Sequence, residues 1–403
     1  MKILYIVPFV PWPLRVRSYN LLPRLAKKHE ISLVCISSTP PTEEQREFLE
    51  RCCRKVVHVA HGRLRAVVQC AAALPTRVPL RMAYCRSRAA SNVVREMLDE
   101  TKPDVIYIER WRPLQYVPEK IEIPVMCDPT DSMTLYNGRL RREGLWWERL
   151  VGSLEYRRFS KYEGNLARRV DVSVFCSRLD MECVRNQAPD IRCEIVSNGV
   201  DCKKYFFKEE TEEVPGTLVF TGNFKYRPNI HAAKYFFEDI YPRIQRSVPE
   251  VKVVAVGNGA ETELANYRRR AGVKIVDFVP DLRPYVARAT VAVAPLTVGA
   301  GVTNKLAEAF AVGTPMVSTP LACGDLPVKD GDHLLIGRNA KEFADNVVTL
   351  LRDRVLRTQV AVRARRFVEN YDWEIVSRKM DELLEETVAR KTGSRLQVSA
   401  ALA

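Results

Sequence analysis

Thirteen short apolar runs punctuate the chain, and most are apolar at successive positions rather than at alternate ones. The first half holds KILYIV, ISLVCIS, KVVHVAH, DVIYIE, IPVMCD, DVSVFCS and CEIVSNG. The second holds TLVFTGN, VKVVAVGNG, VKIVDFV, TVAVAPL, TPMVSTP and HLLIG. β-Branched residues are frequent in them, and stretches of helical length lie between. Strands that are apolar on both faces belong in parallel sheets covered by helices. Strand and helix alternating in this way predict doubly wound α/β layers.

KKYFFKEETEEVPG (203–216) parts the two sets with a charge run, a proline and a glycine, and no apolar periodicity. It reads as a linker between an N-terminal domain (1–202) and a C-terminal domain (217–372), each Rossmann-like. Beyond them, DWEIVSRKMDELLEETVARK predicts an amphipathic helix with Ile375, Met380, Leu383 and Leu384 on one side. Its span 373–390 is expected to pack back on the N-terminal domain. The final TGSRLQVSAALA reads as a loose tail.

Length agrees, since 403 residues exceed one compact core. No apolar run reaches the roughly 20 residues that span a bilayer. MKILYIVPFV has a single lysine and no small-residue cleavage site, so it reads as a strand rather than a signal peptide. The eleven cysteines are scattered without a C-x-x-C pair, as expected of reduced thiols in a cytosolic protein.

Charge adds a hint about partners. Of the net +14, residues 1–200 carry +10 (33 Lys+Arg against 23 Asp+Glu) and the rest +4 (30 against 26). Such an excess favours acidic lipid headgroups or phosphorylated substrates. Nucleic acid is not expected, because no helix-turn-helix, zinc-finger or aromatic RNA-binding signature is present. RLRAVVQCAAALPTRVPLRMAY (63–84) alternates arginine with apolar residues. It reads equally as an interfacial helix on an anionic membrane and as a buried helix with basic ends.

The densest chemistry lies in GAGVTNKLAEAFAVGTPMVSTP (299–320). Here a loop after a strand opens a helix, the place where doubly wound folds bind ligands. Gly299 and Gly301 let backbone approach a ligand, and the N–H groups from Val302 and Thr303 onward attract phosphate. Lys305 and Glu308 share one helix face. A cation so near a helix start opposes the dipole, so Lys305 calls for an anion, and Glu308 suits a ribose diol. The plain reading is a surface ion pair. Two further strand-end loops favour a nucleoside-diphosphate site: VFTGNFKYRPN, with Gly222, Asn223, Lys225 and Arg227, and VAVGNG, with Gly257 and Gly259.

With these stretches, and with VFCSRLDMECVRNQAPDIRCEIVSNGVD before the linker, the chain resembles the retaining glycosyltransferases of family 4. The resemblance covers most of residues 1–390 and is nearest to sugar transferases of bacterial exopolysaccharide synthesis. It implies a GT-B fold, two Rossmann-like domains facing across a deep cleft. It also implies a nucleotide-sugar donor held by the C-terminal domain and a glycan or lipid-linked acceptor held by the N-terminal one. Glu308 matches the second glutamate of the family's pair. The first falls at Ala300, a departure that leaves a non-catalytic nucleotide-binding or partner-binding protein as the rival reading.

In the N-terminal half, PFVPWPLRVRS replaces the family's glycine-rich loop; Arg15 and Arg17 suit a diphosphate or an anionic acceptor, and Ser18 suits a helix cap. IPVMCDPTDSM offers Asp128 and Asp131 as carboxylates for an acceptor hydroxyl, although D-P-T-D-S is also good turn chemistry. None of His29, His58, His61, His231 and His333 sits at an equally attractive position. No D-x-D between strands is read as marking a metal, and neither metal nor cofactor is expected beyond the donor itself. The expected location is the cytoplasm, with peripheral contact at the inner membrane face.

Overall fold

The computed structural model describes every residue except 144–145, 210–211, 299–303 and 403. The chain forms two compact units, Met1–Ser197 with Val376–Ala403, and Asn198–Ile375. All thirteen apolar runs contain strands.

The first unit is built on β1 (Lys2–Val7), β2 (Glu30–Ser37), β3 (Lys55–Ala60), β4 (Val105–Glu109), β5 (Val125–Thr130), β6 (Val172–Phe175) and β7 (Cys193–Ile195). They pair in parallel in the order β3-β2-β1-β4-β5-β6-β7. β4 and β5 are buried at every position, which explains their apolar runs Val105–Ile108 and Val125–Cys127, while Glu109 and Asp128 are buried at the strand ends. Leu4, Ile6, Val34, Ile106, Ile108 and Phe175 anchor the core.

The second unit holds β8 (Thr217–Thr221), β9 (Lys252–Val256), β10 (Val273–Val276), β11 (Val291–Ala294), β12 (Met316–Ser318) and β13 (Leu335–Ile336). These are also parallel, in the order β10-β9-β8-β11-β12-β13. Phe220, Phe224, Phe236, Phe237 and Tyr241 form an aromatic core beside β8. In each sheet the strand order reverses at one place, between β1 and β4 and between β8 and β11. Loops leaving the two strands there diverge and open a crevice at their carboxyl ends.

Local sequence explains the helix starts. Thr42 and Gln45 form a capping box, while Ser87, Ser177, Asn339 and Asp353 each accept a backbone N–H at an N-cap. Ser18 does not cap. The helix Val16–Leu25 begins after Arg15 without a side-chain cap, and buried Ser18 donates to Arg15 O at 3.3 Å.

Residues 203–209 and 212–216 lie within the second unit, against its surface. Phe207 packs on Gly313, whose φ of +78° closes the helix Asn304–Val312. Lys208 N–H donates to Val312 O at 2.8 Å, and Glu212 takes a two-pronged contact from Arg283 at 2.9 and 3.0 Å.

The last helix runs from Trp373 to Leu402, well beyond the expected end, so the tail read as loose is helical. Ile375 is 42% exposed instead of buried. The buried stripe is Val376, Met380, Leu383, Leu384 and Thr387, at helical spacing, and Ile375 falls off it. Asp381, from this helix, holds both Lys28 and His29, at 2.6 and 2.5 Å.

Candidate active site

In the second unit, the crevice between β8 and β11 gathers three segments. Gly222–Tyr226 leaves β8, Gly257–Gly259 leaves β9, and the helix Asn304–Val312 follows β11. The first two interlock. Gly257 has φ +144°, and a Cβ there would meet Gly222 O at 1.9 Å, so only glycine fits. Gly222 N–H donates to Val256 O and Phe224 N–H to Asn258 O. A Cβ on Gly259 would meet the Lys225 side chain at 2.8 Å, and Gly259 N–H donates to Asp277 at 2.6 Å. Lys225 and Arg227 are exposed on this rim, and Asn223 folds its side chain onto the Lys225 N–H.

Lys305 is the cation at the centre of this edge. Its ammonium donates to Asn229 Oδ1 at 3.0 Å and lies 5.4 Å from the centre of the Phe220 ring. Asn229 is itself fixed, because its amide N–H donates to Asn223 O at 2.9 Å. Burial pulls the Lys305 pKa down to about 8, with Glu308 opposing. Glu308 moves the other way. Burial pushes it up to about 7, against the pull of Lys305 and a hydrogen bond from the Tyr205 hydroxyl. A partly desolvated ammonium held by an amide oxygen is built to receive an anion. Gly299, Gly301, Val302 and Thr303 fall outside the described residues.

The sequence hid two of these groups. Asn229 sits 76 positions from Lys305. Tyr205 lies in the stretch read as a linker; an aromatic KKYFF core inside a charge run was the available signal.

In the first unit, the expected residues separate into two groups. Arg17 and Asp128 pair with one another in the interior. Asp128 is fully buried, and besides Arg17 Nε it accepts the Tyr107 hydroxyl at 2.7 Å and Thr130 Oγ1 at 3.3 Å. Arg17 also donates to Val196 O at 2.9 Å. This pair therefore stitches β5 to the first helix and to the end of β7, rather than presenting charge to a ligand. Beside it, Glu109 is buried against Tyr5 at 3.2 Å, and burial followed by the charge of Asp128 pushes its carboxyl up to about 7.

The second group faces outward. Asp131 is partly exposed and meets Arg110 at 2.8 Å. Arg110 and Thr130, at the ends of β4 and β5, hold φ of +70° and +69°. Non-glycine residues adopt this conformation at a cost, and such strain clusters at functional sites. Arg15 lies in the loop after β1, its guanidinium 4.7 Å from the Phe9 ring centre. It lines a cavity of about 350 Å³ together with Arg112 and His61. Neither of those two stood out in the sequence, where a lone arginine or histidine after a strand carries no distinguishing pattern. Among the described residues no group of three or more His, Cys, Asp or Glu is placed to hold a metal ion, and no helix is long and apolar enough to cross a membrane.

Comparison with known proteins bears on this geometry. Residues 215–353 match the family described as Glycosyl transferases group 1. Phosphatidyl-myo-inositol mannosyltransferase of Mycobacterium leprae is 28% identical over 284 residues, 67% of this chain and 67% of that one. Mycobacterial relatives of the same name are matched over 62% of their length. In structure, sucrose-phosphate synthase of Thermosynechococcus elongatus superposes with a TM-score of 0.71 at 14% identity, over 97% of this chain and all of the other. Anabaena Alr3699/HepE, solved with UDP, gives 0.67 at 13% identity over 96% and 100%. The two parallel-sheet α/β units thus have the expected GT-B fold, and residues 215–353 are the part of the chain similar to group 1 glycosyl transferases.

Proposed function

We propose that the protein is a retaining glycosyltransferase that moves a sugar from a nucleoside-diphosphate sugar to an acceptor hydroxyl in surface polysaccharide or glycoconjugate synthesis. The observation that carries this is Lys305: a cation at the switch point of a parallel sheet, depressed by burial and hydrogen-bonded to an amide beside bare glycine loops. In this reading Lys305 and the loop amides neutralise the diphosphate as the glycosidic bond loosens, and Glu308 grips the ribose. Lys225 and Arg227 flank the phosphates. The Anabaena neighbour's complex with UDP supports a nucleoside-diphosphate donor.

The acceptor belongs to the first unit. Of its two aspartates, Asp131 is the one open to solvent and is assigned to orient or deprotonate the acceptor hydroxyl, while Asp128 positions Arg17. The name of the Mycobacterium leprae relative supports a lipid-linked acceptor.

Contact with an anionic membrane is part of the same reading. Leu64, Val67 and Val68 on the helix Arg63–Ala73 stand exposed, Leu64 at 88%. The helix Trp146–Ala167 exposes Trp146 (75%), Trp147, Leu150, Val151 and Leu154 at helical spacing. Arg158 of that helix donates to Leu74 O and Val78 O just past the first, which ties the two segments together. Tryptophans among arginines suit the headgroup region of an acidic bilayer.

A panel of nucleoside diphosphates screened by thermal stability, followed by transfer assays with the matching sugar nucleotides, tests the proposal. A stabilising nucleotide with neither transfer nor donor hydrolysis would favour the rival, a non-catalytic nucleotide-binding protein.

A further inference from the structure

The cavity of the first unit has a composition that the donor reading leaves unused. It opens where the loops leave β1, β2, β3 and β4, and so lies at that sheet's own switch point. Its volume of about 350 Å³ is that of a small-molecule site. No carboxylate lines it, yet two guanidiniums do, Arg15 and Arg112. Neighbouring Arg110 is paired with Asp131, but neither Arg15 nor Arg112 makes an ion pair among the described residues. Burial, then the charges of Arg110 and Arg112, pull the Arg15 pKa down, which an incoming anion would reverse.

Hydroxyl chemistry completes the wall. Ser37, Ser38 and Thr39 line one side. His61 lines another, its ring 5.3 Å from that of Tyr84, and its buried Nε2 finds no hydrogen-bond partner among the described residues. Closed off as the ring now stands, that orphaned nitrogen gains a partner when the ring turns it toward a ligand hydroxyl or phosphate oxygen.

We propose that this cavity binds a phosphorylated polyol, with its phosphate between Arg15 and Arg112 and its hydroxyls on Ser37, Thr39 and His61. Its standing as the acceptor subsite rests on the glycosyltransferase reading; the binding itself does not. The phosphate ester comes either from a soluble sugar phosphate or from a polyol phospholipid headgroup, and both present the same chemistry.

Calorimetric titration of the full chain with glucose 6-phosphate, glucose and inorganic phosphate examines the soluble source. Water-soluble dihexanoyl phosphatidylglycerol against the phosphatidylcholine analogue examines the headgroup. In one arm or the other, the charged polyol is expected to bind at least tenfold more tightly than its partner lacking net charge. Arg15→Gln and Arg112→Gln should each weaken that binding about tenfold, and His61→Phe more modestly. The Arg15 side chain is covered only in part, so its variant stays informative if the Arg112 variant folds poorly. Equal binding of glucose and glucose 6-phosphate, inorganic phosphate binding as tightly as either ester, or full affinity in Arg15→Gln would each overturn the proposal, as would no binding in either arm. Polyol-phosphate binding without any nucleotide binding or sugar transfer would sink the glycosyltransferase reading and leave this site standing.

Discussion

Replacing Lys305 by methionine isolates the claim on which the donor site turns. With a pKa of about 8, the lysine is half protonated at pH 8 in the empty protein. If a diphosphate binds the ammonium form, binding draws a proton onto Lys305 whenever the solution lies above that value. Apparent affinity should then fall about tenfold for each pH unit above 8 until the pKa of the bound state is reached. Phosphate esters complete their own ionisation near pH 6, so they contribute no slope between 7.5 and 9.5. The assay is isothermal titration with the stabilising nucleoside diphosphate across that range, in two buffers of different ionisation enthalpy, to count protons taken up. Wild type should take up about half a proton at pH 8. Lys305→Met should lose about 1.5–3 kcal/mol, the worth of one charge-assisted hydrogen bond, and lose the pH slope with it. Glu308→Gln removes the carboxylate that favours the ammonium and should shift the midpoint below pH 8. A wild-type affinity flat from pH 7.5 to 9.5, or a methionine variant that binds equally well, would refute the reasoning.

Gly257→Ala brings a methyl group to 1.9 Å from Gly222 O at a positive φ. It should cost at least about 1–3 kcal/mol of stability and weaken nucleotide binding, readable as a lowered Tm and Kd shift, whereas Gly216→Ala, strained by its φ of +72° but with open space around it, should lower Tm less and spare binding. Arg17→Met and Asp128→Leu should each destabilise by about 3–5 kcal/mol in urea unfolding, because each strands a buried charge, and the double variant should cost less than the sum; strict additivity would argue against the pairing. Trp146→Ser with Leu150→Ser should reduce sedimentation with phosphatidylglycerol vesicles and leave Tm unchanged, as both side chains are exposed; undiminished sedimentation would remove that face from membrane contact. Glu308, raised to about 7, binds its proton more tightly folded than unfolded, so its contribution to stability declines as pH climbs from about 4.5 to 7. Glu308→Gln should flatten that portion of the Tm profile.

Strand placement was legible because both faces of a central parallel strand must be apolar, a constraint that marks the runs of β1, β2, β4, β8 and β11, whereas the edge strands β3, β7, β10 and β13 are only partly buried and were legible from their β-branched and aliphatic residues. Lys305 and Glu308 were legible as a pair because helical spacing puts them on one face. Their partners were not. Asn229 and Tyr205 reach the pair through the packing of distant segments, and a charge-rich context disguised residues 203–216 as a connector. Arg17 and Asp128 illustrate a different limit. Sequence places Arg17 at a helix start and Asp128 at a strand end, where either could face a ligand, but does not show that they neutralise one another across 111 positions. The strained backbone at Arg110 and Thr130 leaves no trace either, since neither residue is a glycine.

The helix that begins at Trp373 has a consequence for the order of assembly on the ribosome. Its portion from Val376 onward supplies Met380, Leu383 and Leu384 to the interior of the first unit, and Asp381 to Lys28 and His29. The amino-terminal body is thus translated first but closed last, after the roughly 180 residues of the other body have emerged. At about 5–20 residues per second, the amino-terminal body, complete up to Ser197, waits on the order of ten to forty seconds with part of its apolar surface bare. During that interval it is a natural client for chaperones.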